Sequence, residues 1–281
     1  MKISLTECPR DAMQGIHEFI PTDLKIKYLN SLLKVGFDTL DFGSFVSEKA
    51  IPQMKDTAEL VSDLSLSSTK LLSIIANERG AETAANFKQV KVVGFPFSVS
   101  EQFQQRNTNS SREQSLETIK NIIDISENKH VRVYLSMAFG NPYQETWTPE
   151  IILKWADALQ NVGVTEIVLS DTVGVATPIT ITDIYNSLNG EITETDINCH
   201  FHSTPDTWKE KIEAALQNGC VGFDSALKGY GGCPMADDEL VGNIATENLV
   251  QHFTKEQIPQ INAEAFGESM IIADEIFGKY F

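Results

Sequence analysis

Two histidines separated by one residue, His200 and His202, lie in the stretch NCHFHSTPD, directly after an alternating apolar segment. On a β-strand, residues i and i+2 point to the same side, so the two imidazoles face one way. They could chelate one metal ion, or they could form a hydrogen-bonded pair without metal. The pair alone favours neither interpretation, and its chemistry depends on the side chains that share its site.

Oxygen donors follow two other apolar segments. Asp11 stands in ECPRD, and Asn243 stands in the pair GN towards the end of the chain. Together with His200 and His202, they would supply two nitrogens and two oxygens, without a thiolate. This donor set is typical of a six-coordinate divalent ion, so it favours Mg2+ or Mn2+, with Zn2+, Co2+ or Fe2+ as alternatives.

Three further residues could act beside such an ion. Arg10 could form a salt bridge, or its guanidinium could stabilise the charge of an enolate oxygen. Asp171, in LSDTVG, could bind metal, or orient Arg10 or a ligand histidine. Cys233 follows the glycine-rich run GYGG, which could form a mobile loop that closes over a site. Most lone cysteines only pack, but for this one a role as proton donor or acceptor is a better functional interpretation than a Cys-His nucleophile.

The segments that position these residues alternate between short β-branched runs and amphipathic helical runs. Gly36, Gly163 and Gly219 each supply the turn between a helical pattern and a buried strand. This alternation predicts an α/β fold with a parallel sheet, and eight units favour a (β/α)8 TIM barrel over a doubly wound sheet. The carboxyl ends of barrel strands form the active site, and the polar residues above follow such ends. Eight strands are predicted: Lys2–Thr6, Phe37–Phe42, Lys70–Ile75, Val90–Gly94, Val131–Ser136, Glu166–Ser170, Asp196–His200 and Gly222–Ala226.

The length of 281 residues fits one barrel, and we expect a single domain over residues 1–281 with a C-terminal helical extension from about residue 253. The 22 basic and 39 acidic side chains give a net charge of −17, which argues against nucleic acid and anionic membranes as partners. The four cysteines have no CxxC spacing, and the sequence starts without an apolar signal segment. We therefore expect a cytoplasmic protein.

Taken in order, several strings resemble motifs of the 3-hydroxy-3-methylglutaryl-CoA lyase family, whose members are metal-dependent TIM-barrel lyases. The resemblance covers nearly the whole chain. Its segments are PRDAMQ, SFVSEKAIPQMKD, SEQFQQRNTNSSREQS, AFGNPY, LSDTVGVATP, GYGGCPMA and GNIATENLV. The resemblance implies four metal ligands: Asp11, His200, His202 and Asn243.

The same resemblance implies a reaction, the cleavage of 3-hydroxy-3-methylglutaryl-CoA or a close analogue to acetyl-CoA and acetoacetate, carried out by a homodimer. Arg10 falls on the arginine that stabilises the enolate, Cys233 on the loop cysteine that transfers a proton, and Asp171 on a motif aspartate near the site. A base must take the proton of the tertiary hydroxyl, and His200 or Asp11 is the candidate.

Three positions depart from the family pattern. Asp41, a further candidate catalytic residue, replaces a glutamate, Ala12 replaces a glycine beside the Arg-Asp pair, and Ser203 replaces the aspartate of the usual H-x-H-D-T. These changes spare the implied ligands and fall around the substrate, so a different acyl thioester is a live alternative. The cations available to CoA phosphates are scattered: Lys49, Lys55, Arg106 and Arg112.

Two other functions are weighed against the lyase. One is a related barrel aldolase or condensing enzyme that acts on another hydroxy-acyl or 2-oxo acid substrate, which the loop cysteine disfavours. The other is a catalytically weak barrel that binds a ligand. The presence of every implied metal and catalytic residue in this chain counts against that second alternative.

Overall fold

Eight parallel strands close into a barrel in the computed structural model, which describes residues 2–232 and 241–280. Each strand pairs with the next along the chain, and the first pairs with the eighth. A ninth, two-residue strand runs antiparallel to the seventh. The predicted (β/α)8 TIM barrel is therefore confirmed. The strands are β1 (Ser4–Glu7), β2 (Thr39–Ser44), β3 (Lys70–Ile74), β4 (Val90–Ser98), β5 (His130–Ser136), β6 (Glu166–Asp171), β7 (Asp196–Ser203), β8 (Gly222–Ser225) and β9 (Gly242–Asn243).

Helices follow the strands and surround the barrel. The last of them packs on the second: the rings of Tyr28 and Phe277 lie 5.9 Å apart, and the Ser269 hydroxyl donates to Ser31 Oγ at 2.9 Å. In the described part of the chain, no helix is both long and apolar enough to cross a bilayer. The helices are α1 (Pro9–Gln14), α2 (Thr22–Leu33), α3 (Thr57–Asp63), α4 (Glu78–Ala85), α5 (Glu101–Thr108), α6 (Arg112–Ile125), α7 (Pro149–Asn161), α8 (Pro178–Leu188), α9 (Trp208–Gln217), α10 (Thr246–His252) and α11 (Ala263–Phe277).

The three turn glycines have the backbone conformation that the sequence predicts. Gly36, Gly163 and Gly219 have φ values of +98°, +97° and +95°, a region that residues with a Cβ rarely adopt. The predicted end of β4 is wrong, because the strand continues through Pro96 to Ser98. Pairing with β5 carries it past the proline, which a local pattern of Gly and Pro does not reveal. The assignment of residues 1–281 to a single domain remains a prediction.

The buried side chain of Glu7 links the end of β1 to residues that follow β8, where the barrel closes. Glu7, at the end of β1, accepts a hydrogen bond from the Leu227 backbone at 2.9 Å and one from the Thr246 hydroxyl at 2.5 Å. Burial raises the pKa of Glu7 to about 8, and the hydrogen bonds from Thr246 and Leu227 offset this only in part. Glu7 therefore keeps its proton in the folded protein at neutral pH.

We expect Glu7→Gln to flatten the pH dependence of stability. Because the folded pKa of about 8 exceeds the ordinary 4.5, the stabilisation is complete below pH 4.5 and is lost as the pH rises to about 8. This loss amounts to about 1 kcal/mol of unfolding free energy per pH unit. Glutamine cannot ionise; its carbonyl oxygen can accept from the Leu227 backbone and its amide nitrogen can donate to the Thr246 hydroxyl, which reverses that second hydrogen bond. The variant should therefore match the wild type at about pH 5 and exceed it at about pH 8 in urea unfolding. An unchanged pH slope in the variant would contradict this assignment.

Candidate active site

The two histidines of β7 face one another at the carboxyl end of the barrel. Their Nε2 atoms lie 3.3 Å apart, and both residues are buried. Each Nδ1 faces an acceptor: His202 Nδ1 lies 3.1 Å from Thr172 O, and His200 Nδ1 lies 3.4 Å from Asp224 Oδ2. A nitrogen that faces an acceptor carries the proton, so both Nε2 atoms present lone pairs to the same space. This geometry suits a shared cation better than a hydrogen-bonded pair.

Asp11 and Asn243 complete the predicted ligand set from opposite ends of the chain. Asp11 Oδ2 accepts a hydrogen bond from Asn243 Nδ2 at 2.8 Å, and the same nitrogen donates to Tyr230 O at 2.9 Å. β9 places Asn243 directly opposite His202. The other atom of the amide, Asn243 Oδ1, is buried and has no hydrogen-bond partner among the residues that the structure describes. A buried acceptor without a donor fits a cation at this position.

Two groups of side chains in the described residues could hold a metal ion. In the group of Cys8, His200 and Asp224, Asp224 Oδ1 already accepts a hydrogen bond from Arg132 at 3.3 Å. Burial also raises the pKa of the Cys8 thiol well above its ordinary value, which opposes a thiolate ligand. The first group, which consists of Asp11, His200 and His202, shares its space with the unpartnered Asn243 oxygen, so it is the better candidate. The groups are Asp11, His200 and His202, and Cys8, His200 and Asp224, each with ligand atoms within 4.8 Å of one another.

The protonation states of the first group suit a cation. Burial raises the pKa of Asp11, but Arg10 and the two histidines outweigh it, and the net shift is downward. Burial, assisted by the neighbouring His200, lowers the pKa of His202 to about 4. For His200, burial acts downward, but the hydrogen bond and charge of Asp224 leave its pKa raised. At neutral pH, Asp11 is therefore ionised and His202 is neutral, which are the forms that bind metal, whereas His200 would release the proton of its imidazolium form when a cation binds.

Arg10 is fixed by carboxylates on two sides. Its Nε and Nη2 donate to Asp41 Oδ2 at 2.9 and 2.5 Å, and its Nη1 donates to Asp11 Oδ1 at 3.0 Å and to Gln14 Oε1 at 2.8 Å. Burial raises the pKa of Asp41 to about 6, although Arg10 acts in the opposite direction. The salt bridge considered from the sequence is present, and Arg10 also lines the cavity beside the histidines. The two interpretations of Arg10 are thus compatible.

A cavity of about 450 Å³ opens over these residues. Its lining combines polar side chains, among them Arg10, Asp11 and both histidines, with apolar side chains, which we call its apolar wall. A larger cavity of about 1030 Å³ lies at the opposite, amino-terminal end of the strands and contains none of the predicted site residues. The smaller cavity is therefore the candidate active site. Its apolar wall includes Val46, Ile51, Ile74 and Phe103.

Asp171 is held away from Arg10 and the ligand nitrogens by other partners. Its Oδ1 accepts from the Ala176 backbone at 3.0 Å, and its Oδ2 accepts from Lys211 Nζ at 2.7 Å. Lys211 also donates to the backbone oxygen of His202 at 2.7 Å, and sequence reasoning missed it. A signal existed, because Lys211 and Ala215 are four apart on the buried face of α9, where a lysine is unexpected.

The glycine-rich run begins against the site. A Cβ on Gly231, whose φ is +94°, would lie 2.8 Å from both Ala12 Cα and Asn243 Nδ2. Glycine is therefore required here, and Ala12, one of the departures from the family pattern, forms part of the surface that the run approaches. Cys233 lies outside the described residues.

Comparisons with known proteins agree with the motifs. Residues 2–266 match the model of the HMGL-like family. The chain is 34% identical over 247 residues to the cytoplasmic 3-hydroxy-3-methylglutaryl-CoA lyase of Rattus norvegicus, which covers 86% of this chain and 71% of that protein. It is 34% identical over 253 residues to the 3-hydroxy-3-isohexenylglutaryl-CoA/hydroxymethylglutaryl-CoA lyase of Pseudomonas aeruginosa, with 89% and 84% covered. The structure of an HMG-CoA lyase from Acinetobacter baumannii in complex with coenzyme A and 3-methylmalate superposes with a TM-score of 0.90 at 28% identity, over 99% and 92% of the two chains. The chain belongs to the HMGL-like family.

Proposed function

We propose that this protein is a divalent-metal-dependent carbon–carbon lyase that cleaves 3-hydroxy-3-methylglutaryl-CoA, or a close analogue, to acetyl-CoA and acetoacetate. One observation carries the proposal. The facing Nε2 atoms of His200 and His202, the Asp11 carboxylate and the unpartnered Asn243 Oδ1 converge in one cavity beside Arg10. The names of the rat and Pseudomonas aeruginosa relatives, and the coenzyme A in the Acinetobacter baumannii structure, support a CoA thioester as substrate.

Four residues would hold the metal, and their chemistry favours Mg2+ or Mn2+, with Zn2+, Co2+ or Fe2+ as alternatives. When bound, such an ion would lower the pKa of the tertiary hydroxyl of the substrate. The nitrogen and oxygen donors carry no thiolate, so the set does not select a soft metal. The residues are Asp11, His200, His202 and Asn243.

The proton of the tertiary hydroxyl passes to a base in the cavity, and two side chains qualify. His200 could take the proton on Nε2 where that atom does not bind the ion, and the Asp224 carboxylate, 3.4 Å from Nδ1, would then stabilise the imidazolium. Asp11 lines the same cavity, but the adjacent guanidinium of Arg10, at 3.0 Å, weakens it as a base. The base is one of these two residues.

Arg10 stabilises the enolate of the departing acetyl thioester. Its guanidinium is held by Asp41, Asp11 and Gln14 before the substrate arrives, so little reorganisation is needed when the oxygen gains charge. Asp41 acts by holding Arg10. The enolate carbon must then take up a proton, and Cys233 is the proposed donor.

A second candidate is a 3-hydroxyglutaryl thioester with a longer substituent at C3. The apolar wall of the cavity, with Val46, Ile51 and Ile74, could hold such a substituent, and the Pseudomonas aeruginosa relative is named for two substrates of this kind. We also propose that the protein is cytoplasmic, as the relative from rat is named for the cytoplasm. We propose further that it is a homodimer, as the resemblance to the family implies.

Metal-dependent release of acetyl-CoA tests the proposed reaction. We expect the protein to release acetyl-CoA from 3-hydroxy-3-methylglutaryl-CoA in a citrate-synthase-coupled assay with Mg2+ or Mn2+. Release should stop with EDTA and return when excess metal is added, because the cavity alone does not activate the hydroxyl. Activity in metal-free protein would contradict the metal requirement. Binding of Mn2+ without release would identify a different substrate.

Variants at Arg10 and His202 should distinguish an effect on catalysis from an effect on metal binding. Arg10→Met should lower kcat by about 10²- to 10³-fold, because the enolate loses its fixed cation. Its affinity for Mn2+, measured by electron paramagnetic resonance, should be unchanged or higher, since a positive charge beside Asp11 is removed. His202→Ala should weaken Mn2+ binding itself. Near-normal turnover by Arg10→Met would contradict the assigned role of Arg10 in stabilising the enolate.

A further inference from the structure

Lys211 is a buried cation with a complete set of partners beside the candidate metal site. Its side chain is 2% exposed, although it belongs to the surface helix α9. Nζ donates to Asp171 Oδ2 at 2.7 Å, to His202 O at 2.7 Å and to Gly174 O at 3.0 Å. An ammonium has three protons, so these three acceptors fix its position.

His202 is thereby held in two places. Thr172 O faces Nδ1 of the ring at 3.1 Å, and Lys211 binds the backbone oxygen of the same residue. Thr172 directly follows Asp171, so the carboxyl end of β6 supplies one restraint directly and anchors the other, which comes from Lys211 on α9. Strand position and ring orientation are therefore set together.

The same lysine reaches the segment that leads to the other ligand. Lys211 binds the backbone oxygen of Gly174, and a Cβ on Gly174 would lie 3.0 Å from the side chain of Val241. Val241 precedes Asn243 by two residues, and β9 places Asn243 opposite His202. Lys211 thus lies at the junction of the elements that carry two of the four proposed ligands.

We propose that Lys211 is a positioning residue for the metal site: it fixes His202 through its backbone oxygen and so raises the affinity for the divalent ion. This inference rests on the metal site of the proposed function. The competing explanation is that Lys211 and Asp171 are only a buried ion pair, whose loss would affect stability alone.

A second buried pair in the chain provides a matched control. Lys25 Nζ lies 2.9 and 3.0 Å from the carboxylate oxygens of Asp56, and it also donates to the backbone oxygen of Gln53. Like the first pair, it joins a buried ammonium to an aspartate and a backbone carbonyl, although Lys211 binds two carbonyls and Lys25 binds one. It contacts none of the proposed ligands.

The test compares Lys211→Met, the double variant Asp171→Asn/Lys211→Met and the control Lys25→Met/Asp56→Asn by Mn2+ dissociation constant and Tm. The single variant leaves Asp171 buried without its cation, so its Tm should fall, and the double variant should recover part of that loss. The double variant, which leaves the net charge of the site unchanged, should bind Mn2+ about 10- to 100-fold more weakly than the wild type. The control should lose stability but keep its Mn2+ affinity within about 2-fold, as expected of a distant site.

Three results would overturn the proposal. If the double variant binds Mn2+ as tightly as the wild type does, Lys211 only neutralises the charge of Asp171. An equal loss of affinity in the control would assign the effect to general destabilisation. A wild-type protein that binds no Mn2+ would overturn the positioning role together with the metal site. Mn2+ binding by the wild type without acetyl-CoA release would remove only the proposed reaction, because the binding measurement needs no substrate.

Discussion

The parallel pairing of β1 with β8 is the constraint on which the site depends. It sets Leu5 beside Phe223 and so brings the first dozen residues against the last third of the chain. The hydrogen bond between Asp11 and Asn243 then joins residues 232 positions apart. Each proposed ligand lies at or beyond a strand end, and no two of β1, β7 and β9 are adjacent in sequence. The donor set therefore exists only in the closed barrel, and a bound cation would stabilise closure in return.

The charges of the site explain why it would attract a cation. Arg10 supplies one positive charge and faces two carboxylates, Asp11 and Asp41. Burial raises the pKa of Asp41 to about 6, which still leaves most of it ionised at neutral pH. His202 contributes no charge, because its pKa falls to about 4. His200, whose pKa is raised by the hydrogen bond and charge of Asp224 although burial acts downward, offsets part of the remaining negative charge until a cation takes its place. The attraction of the carboxylates for a divalent ion is stronger in a buried cavity than at the surface.

Much of this arrangement could be predicted from local patterns. The i, i+2 spacing placed His200 and His202 on one face, and the alternation of strands and helices located the mouth of the barrel. The order of the motifs along the chain indicated the resemblance to the family. The partners of Asp171 could not be predicted, because they depend on which face of α9 packs against the end of β6. Nor could the position of Asn243 opposite His202, since a two-residue strand leaves no periodicity to detect.

Lys211 and Asp171 form a buried ion pair that reaches the backbone of a proposed metal ligand. An ammonium close to a metal ligand would oppose a cation if it were unpaired. Asp171, at 2.7 Å, neutralises it, so the pair adds a directional hydrogen bond to His202 without adding net charge. A buried pair of this kind is costly when only one partner is removed. Under the proposed positioning role, His202 is held from the side of α9, and Ser203, which directly follows it, adds no charge to the site.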